Sequence, residues 1–462
     1  MKILLINPFY GEIKNSRLPL SLSAEVGAIM PLGLASIAGY LRQKGIDVEI
    51  LDAQANQILN SQIQKKIKES RADIIGLTSM TPTVHQDLDI CVKAKELGKI
   101  VVLGGPQINA MPQEMLKIPV IDYGIKGEGE YPFYLLVEAL KNKKSVRAIP
   151  GLVFRDESGA VIENPPYIHP NLDDLPLPAR DLLPFEKYFS LISEGRLATL
   201  VPSRGCPFHC GFCFKQPSDT LIRFRSPQLV VDEIEALIAK FQINEINFVS
   251  DTFSVKKDFV EGLCSEILKR KIKISWIAPT RIGSVDYDLL KLMKSSGCRS
   301  LRFGIESGSE KILQLMNKPI NKEETIKVFK WTKDIHLETF AYLIIGYIGE
   351  TEGTIKETMS FIKKIQPDLI MYNIATPLPK TPLFDQAVKA GLVAPDYWSQ
   401  FLKDPTTPRI NYLFPDAEKW AKIAYREFYF SPKFLFKQAT KIRPNNLMNH
   451  LRALRGLIKL QL

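Results

Sequence analysis

Short apolar runs alternating with stretches of helical period dominate the first part of the chain. Runs at 2–8 (KILLINP), 47–52 (DVEILD), 74–79 (IIGLTS), 100–105 (IVVLGG) and 121–127 (IDYGIKG) have strand length, and segments near 33–44, 57–70, 83–98 and 130–142 between them are helix-like. Strands that alternate with helices are joined by crossovers and lie parallel in one sheet. The rhythm returns later, with strands near 197–203, 245–250, 273–279, 299–306, 339–346 and 369–375, and helices near 226–242, 256–270, 286–296, 322–335 and 352–365. Six such units predict a partial barrel, not a closed ring of eight. Between the two series, Pro150, Pro165, Pro166, Pro170, Pro176, Pro178 and Pro184 mark a junction.

The predicted class is therefore α/β. A Rossmann-like (flavodoxin-like) parallel sheet is expected over 1–145, a proline-rich linker over 146–192, a partial (β/α)6 TIM-type barrel over 193–393, and a helical, basic region over 394–462. Ligands of open parallel sheets bind beyond the carboxyl ends of the strands. Those ends are Asn7-Pro8, Thr78-Ser79, Gly104-Gly105-Pro106 and Gly127-Glu128-Gly129-Glu130. No G-x-G-x-x-G follows the first strand, which disfavours a nicotinamide cofactor.

Composition narrows the picture. Of 462 residues 45% are hydrophobic and 24% charged, ordinary values for a globular chain of two or three domains. No run of about 18 apolar residues suggests a membrane span, and Met1 to Pro8 reads as a first strand, not a signal peptide. Six cysteines, three of them clustered, do not make a disulfide framework and fit a reducing cytoplasm. The net charge of +11 is concentrated at the C-terminus: Lys433, Lys437, Lys441, Arg443, Arg452, Arg455 and Lys459 occur after Ser431 with no Asp or Glu. Such a tail either packs an apolar helical face on the body or makes a peripheral membrane contact; nucleic acid is not favoured.

The most informative stretch is Ser203-Arg-Gly-Cys-Pro-Phe-His-Cys-Gly-Phe-Cys-Phe214. Cys206, Cys210 and Cys213 at these spacings would also share one face of a helix. Gly205, Pro207 and Gly211 argue against a helix and for a loop after the strand 197–203. Three thiols leave one metal position open, whereas closed zinc sites use four ligands. His209 is adjacent to Cys210, and neighbours rarely reach the same ion. Cys91, Cys264 and Cys298 fall in apolar patterns and read as buried packing residues.

The pattern Cys-x3-Cys-x-Phe-Cys, followed by the strand–helix series, resembles the signature of the radical S-adenosylmethionine (SAM) superfamily. The string Pro31-Leu-Gly-Leu-Ala-Ser-Ile-Ala-Gly-Tyr-Leu-Arg-Gln-Lys-Gly45, with GGP and GEGE beyond it, resembles the cobalamin-binding domain of class B members. The resemblance implies a [4Fe-4S] cluster on the three cysteines, with SAM on the open iron. It places Phe212 near the adenine, Ser250 and Asp251 near the methionyl amine, Glu306 near the ribose, and Gly346, in Gly346-Tyr-Ile-Gly-Glu-Thr351, near the adenine. Arg281, at the end of the third barrel strand, suits a carboxylate or phosphate. Leu32, Gly33, Thr78, Ser79, Gly104, Gly105, Gln107, Gly127, Glu128 and Glu130 are the residues it implies for cobalamin. The Asp-x-His-x-x-Gly element that supplies a histidine to cobalt elsewhere is absent, and His85 reads as a partly exposed helical histidine.

This implies reductive cleavage of SAM and, with cobalamin, methylation of an unactivated carbon of a small molecule or lipid. The electron donor implied is a flavodoxin or ferredoxin. Oxidative ring closure, as in the anaerobic porphyrin cyclase relatives, keeps both cofactors without methylation; a non-catalytic sensor is a third reading. No cysteine follows Cys298, which disfavours auxiliary clusters and the methylcysteine mechanism. Only Cys91 lies in the first domain, which disfavours methylthiolation.

Overall fold

The computed structural model describes residues 1–9, 27–190, 195–408 and 410–439. Five parallel strands build the first sheet in the order Asp47–Asp52, Lys2–Asn7, Ile74–Thr78, Ile100–Gly104, Tyr123–Ile125. In chain order this is 2-1-3-4-5, the flavodoxin-like arrangement, so the expected α/β class holds. The near-continuous burial of the inner strands Lys2–Asn7 and Ile74–Thr78 reflects cover on both faces. Helix Leu32–Gln43 packs on one face through Leu34, Ala38 and Leu41, while Ile63, Ile67, Val84 and Ile90 close the other.

The stretch 146–192, expected to be a linker, does more than connect. Leu152–Arg155 and Val161–Glu163 add antiparallel to the edge at Tyr123–Ile125, which makes the sheet seven-stranded. These runs are short, and the prolines around them hid them from a periodicity reading. Further along, Arg180 enters the barrel, where it pairs with Glu233 at 2.7 Å and donates to the Thr199 carbonyl at 2.8 Å. Asp181 pairs with Arg42 of the first domain at 2.8 Å, and Ala179 N–H donates to the Ala35 carbonyl at 2.9 Å. The connector is a strap fastened to both domains.

The second sheet has six parallel strands, all in chain order: Leu197–Leu200, Glu245–Phe248, Ser275–Thr280, Cys298–Glu306, Glu338–Ile345 and Leu369–Ile374. Its outer face carries the main core, in which Trp276, Phe248 and Phe253 meet in one aromatic group. Cys264 and Cys298 are buried there and Cys91 in the first domain, as expected of small apolar residues.

The C-terminal region serves both domains. Trp398, Phe401 and Leu402, on Tyr397–Lys403, join the core of the first domain, and Phe401 meets the His85 ring at 4.7 Å. Helix Ala417–Tyr429 lies along the last barrel strand. Lys433 donates to Gln366 at 2.6 Å and Lys437 pairs with Asp368, so these two tail charges rest on the body. Lys441, Arg443, Arg452, Arg455 and Lys459, and with them the membrane expectation, lie outside the described residues. Among those described, no helix is long and apolar enough to cross a membrane.

Candidate active site at the domain junction

The first barrel strand stops at Leu200. Ser203 and Arg204 then pair antiparallel with Phe224 and Arg223, so residues 205–222 form a loop closed at its base by a short ladder. The loop stands at the carboxyl edge of the barrel, where such folds place their chemistry. Cys206 N–H donates to the Asp219 carbonyl at 2.8 Å, and Lys215 Nζ donates to the carbonyls of Cys206 and Phe208. Gly211 N–H donates to the Met316 carbonyl at 2.7 Å, and its own carbonyl accepts from Leu383 N–H at 2.8 Å. A Cβ on Gly211 would lie 2.5 Å from the buried Tyr347 hydroxyl, so only glycine fits where the loop docks.

Cys210 is buried and Cys206 and Cys213 are half-buried. Burial pushes the Cys213 thiol up to about 12; Cys210 adds to the rise and Lys318 opposes it. Such a thiol ionises when bound iron supplies the missing positive charge. Among the described residues no three His, Cys, Asp or Glu side chains converge as one ion requires. Iron–sulfur clusters are held by cysteine thiolates, and this all-thiol donor set fits one.

Most of the residues expected around SAM gather here. The Ser250 hydroxyl lies 2.6 Å from that of Ser203, and Thr252 Oγ1 donates to the Gly205 carbonyl at 3.4 Å. The Arg281 guanidinium carbon lies 3.8 Å from the centre of the Phe208 ring. Glu306 is buried, pairs with Lys318, and takes a left-handed φ of 60° at a register shift in its strand. A non-glycine residue in that region stores strain, which surroundings must hold in place. Lys318 Nζ lies 5.7 Å from the centre of the Phe212 ring, so Phe212, Cys213, Glu306 and Lys318 form one group. Gly346, also left-handed, donates its N–H to Glu350 at 2.5 Å; burial raises that carboxyl to about 7. Asp251 alone of these residues is exposed.

The residues expected around cobalamin divide. Thr78, Gly104, Gly105 and Gln107 sit together at and just after the strand ends. Gln107 is fully buried and its Oε1 accepts from Thr81 at 2.7 Å, while its Nε2 donor has no partner. An unpaired buried donor at the ligand-binding edge of such a sheet fits a group that brings an acceptor, as the amide-rich rim of cobalamin does. Leu32 and Gly33 open the neighbouring helix, with open space at Gly33. Ser79, Glu128 and Glu130 have other partners. The Ser79 hydroxyl donates to Asp87 at 2.7 Å, inward and away from the edge. Glu130 meets Arg204 at 2.5 Å, and Glu128 meets Arg223 at 2.5 Å and Arg204 at 3.3 Å. Burial alone would raise Glu128, but Arg223, Arg204 and the His169 N–H hold its carboxyl below the ordinary range. Gly127 takes a bridge to Tyr167. The GEGE segment thus clamps the base of the cysteine loop.

Sequence reasoning missed Arg204, Arg223, Lys318 and Glu350. Arg204 and Arg223 flank the cysteine loop on both sides, a signal that was legible; nothing in the sequence paired Lys318 with Glu306.

Two family models match the chain, a B12 binding domain over residues 24–137 and the radical SAM superfamily over residues 200–362. A protein of Pyrococcus horikoshii named as an uncharacterized methyltransferase is 34% identical over 436 residues, 93% of each chain. The anaerobic magnesium-protoporphyrin IX monomethyl ester cyclase of Rubrivivax gelatinosus is 30% identical, over 84% of this chain and 70% of its own. The structure of the radical S-adenosylmethionine methyltransferase TsrM from Kitasatospora setae, with cobalamin and a [4Fe-4S] cluster bound, has the same fold. Its TM-score is 0.68 at 20% identity, covering 86% of this chain and 76% of that one. With the cysteine loop of one domain clamped by the carboxylates of the other, the chain belongs to the radical SAM superfamily, in the group whose B12-binding domain precedes the radical SAM domain.

Proposed function

We propose that the protein is a cobalamin-dependent radical SAM methyltransferase that acts on an unactivated carbon of a small molecule or lipid. One observation carries this reading: Glu128 and Glu130, just beyond the last parallel strand of the first sheet, bind Arg204 and Arg223 at the root of the cysteine loop. That contact turns the carboxyl edges of the two sheets toward each other, so groups held at each edge can share one substrate. When bound, cluster and SAM would supply a carbon-centred radical and cobalamin the methyl group. The chain's own part is positional. Cys206, Cys210 and Cys213 would hold the cluster; Phe212, Ser250, Arg281, Glu306 and Gly346 would hold SAM; Thr78, Gly104, Gly105 and Gln107 would hold cobalamin. The buried Glu306–Lys318 pair keeps a fixed acceptor near the loop without leaving an uncompensated charge. A flavodoxin- or ferredoxin-type donor in a reducing cytoplasm would suit such an enzyme.

The test is anaerobic incubation of cluster- and cobalamin-loaded protein with SAM and a strong reductant. Release of 5′-deoxyadenosine is expected, and its absence would sink the reading. The similarity to the cyclase favours one alternative, oxidative ring closure. Product mass decides between them: methylation adds one CH2, whereas ring closure removes hydrogens and adds no carbon.

A further inference from the structure

Among the described residues, the inner face of the barrel holds a cation without a counter-ion. Along Cys298–Glu306, Leu301, Phe303 and Ile305 point outward into the core, and the Phe303 ring meets Phe329 of the surrounding helix at 5.3 Å. Strand residues alternate between faces, so Arg302 and Gly304 point inward. Arg302 reaches across the intervening strand, and its Nη1 donates to Asn247 Oδ1 at 3.1 Å on a strand that is not its neighbour. Only the concave side of a curved sheet allows that contact.

The same alternation puts Tyr342, Met371 and Asn373 on this face. Their half-buried or exposed state, with half-buried Pro279 and Arg302, makes it a solvent-accessible trough and not a packed centre. Arg299, three residues earlier, is neutralised by Glu245 at 3.1 Å and Glu338 at 2.8 Å. Arg302 has no such partner among the described residues; its Nε–H is buried and unpaired. A guanidinium never loses its proton in a protein, so a buried unmatched donor costs free energy until an anion arrives. Gly304 follows on the same face, and a Cβ there would lie 2.6 Å from Lys318 Nζ and 2.5 Å from Glu306 Oε1. Arg302 therefore lies just below the Glu306–Lys318 pair, deeper in the barrel than the cysteine loop.

We propose that Arg302 is the anchor for an anionic group, a carboxylate or phosphate, on the substrate. Tyr342 and Met371 beside it would take the apolar part of a small organic anion. This rests on the proposed function for its site, but not for its test.

Cluster-loaded protein, saturated with SAM and without reductant, is titrated calorimetrically with inorganic phosphate. Wild type should bind phosphate, R302M at least tenfold more weakly, and R302K in between because it keeps charge but loses the fork. SAM affinity should change less than twofold in both variants. Wild type that takes no phosphate, or R302M that binds it equally, would overturn the proposal. So would a tenfold loss of SAM affinity in R302M, since the anion would then be the SAM carboxylate. R302K serves if R302M fails to fold. Adding reductant and measuring 5′-deoxyadenosine in the same samples tests the radical reading separately.

Discussion

Arg204 Nη2 and Glu130 Oε1 meet at 2.5 Å across the junction of the two domains. The partner of Arg204 in the ladder at the base of the cysteine loop is Arg223, so two like charges face each other across adjacent strands. Such a pair repels. Glu128 touches both arginines and Glu130 completes the set, so the base of the loop closes well only when the first domain is in place.

Glu130→Ala should therefore destabilise the protein by about 1–3 kcal/mol, since it strips a half-buried arginine of its nearest charge. Glu130→Ala with Arg204→Ala should cost less than the sum of the single changes. Chemical denaturation of the four proteins in a double-mutant cycle measures the coupling, and additive losses would deny the clamp.

Replacing Cys206, Cys210 or Cys213 with Ala should each reduce iron content and the visible absorption of the reconstituted protein, and the triple variant should hold no cluster. Ala at Cys91, Cys264 or Cys298 should leave iron unchanged, because those thiols are buried in apolar packing. Iron retained in the triple variant would place the ligands elsewhere.

Lys318→Met should leave Glu306 buried beside the cysteine loop with no cation, at a cost of about 3–5 kcal/mol. Adding Glu306→Gln should recover part of that stability, but not SAM affinity. Thermal denaturation and SAM binding, measured together, separate the two effects. Normal SAM affinity in the double variant would remove Glu306 from the SAM site.

Tyr425 and Tyr429, one turn apart on the helix Ala417–Tyr429, each put a hydroxyl between the N–H and C=O of one edge-strand residue. Tyr425 accepts from Tyr372 N–H at 2.8 Å and donates to its carbonyl at 3.1 Å; Tyr429 does the same for Ile370 at 3.1 and 2.6 Å. The hydroxyls replace a missing seventh strand and blunt an edge open to other chains. Phe at either position should cost about 1–3 kcal/mol and increase aggregation on heating, read by light scattering. Unchanged melting in both variants would mean that water serves equally well.

Burial raises the Asp87 carboxyl to about 7, even with Ser79 and Thr83 donating to it. Between its unfolded value, about 4, and that point, the folded state keeps a proton the unfolded state has lost. Its contribution to stability therefore falls as pH rises through this window and levels off above it. Asp87→Asn should lack that fall, so the denaturation midpoint of wild type relative to the variant should drop between about pH 4 and about pH 7. A constant difference would show that Asp87 stays ionised.

The sequence alone determined the fold class, the parallel strands of both sheets and the grouping of three thiols on one loop. Those features are local: hydrophobic period, turn residues at strand ends, and thiols a few residues apart. It gathered Ser250, Arg281, Glu306 and Gly346 because strand ends of one barrel necessarily meet at one edge. It could not foresee what the GEGE segment meets, for the same reason. A carboxylate at a strand end reads as a ligand group, and only the docking of the second domain decides that its partner is Arg204 or Arg223. The antiparallel strands after Pro150, the Glu306–Lys318 pair, the tyrosine seal and the unmatched Arg302 were equally hidden. Each depends on residues far apart in the chain, brought to one place by packing. Charge balance inside a barrel is set by which side chains face inward together, and tertiary structure alone fixes that.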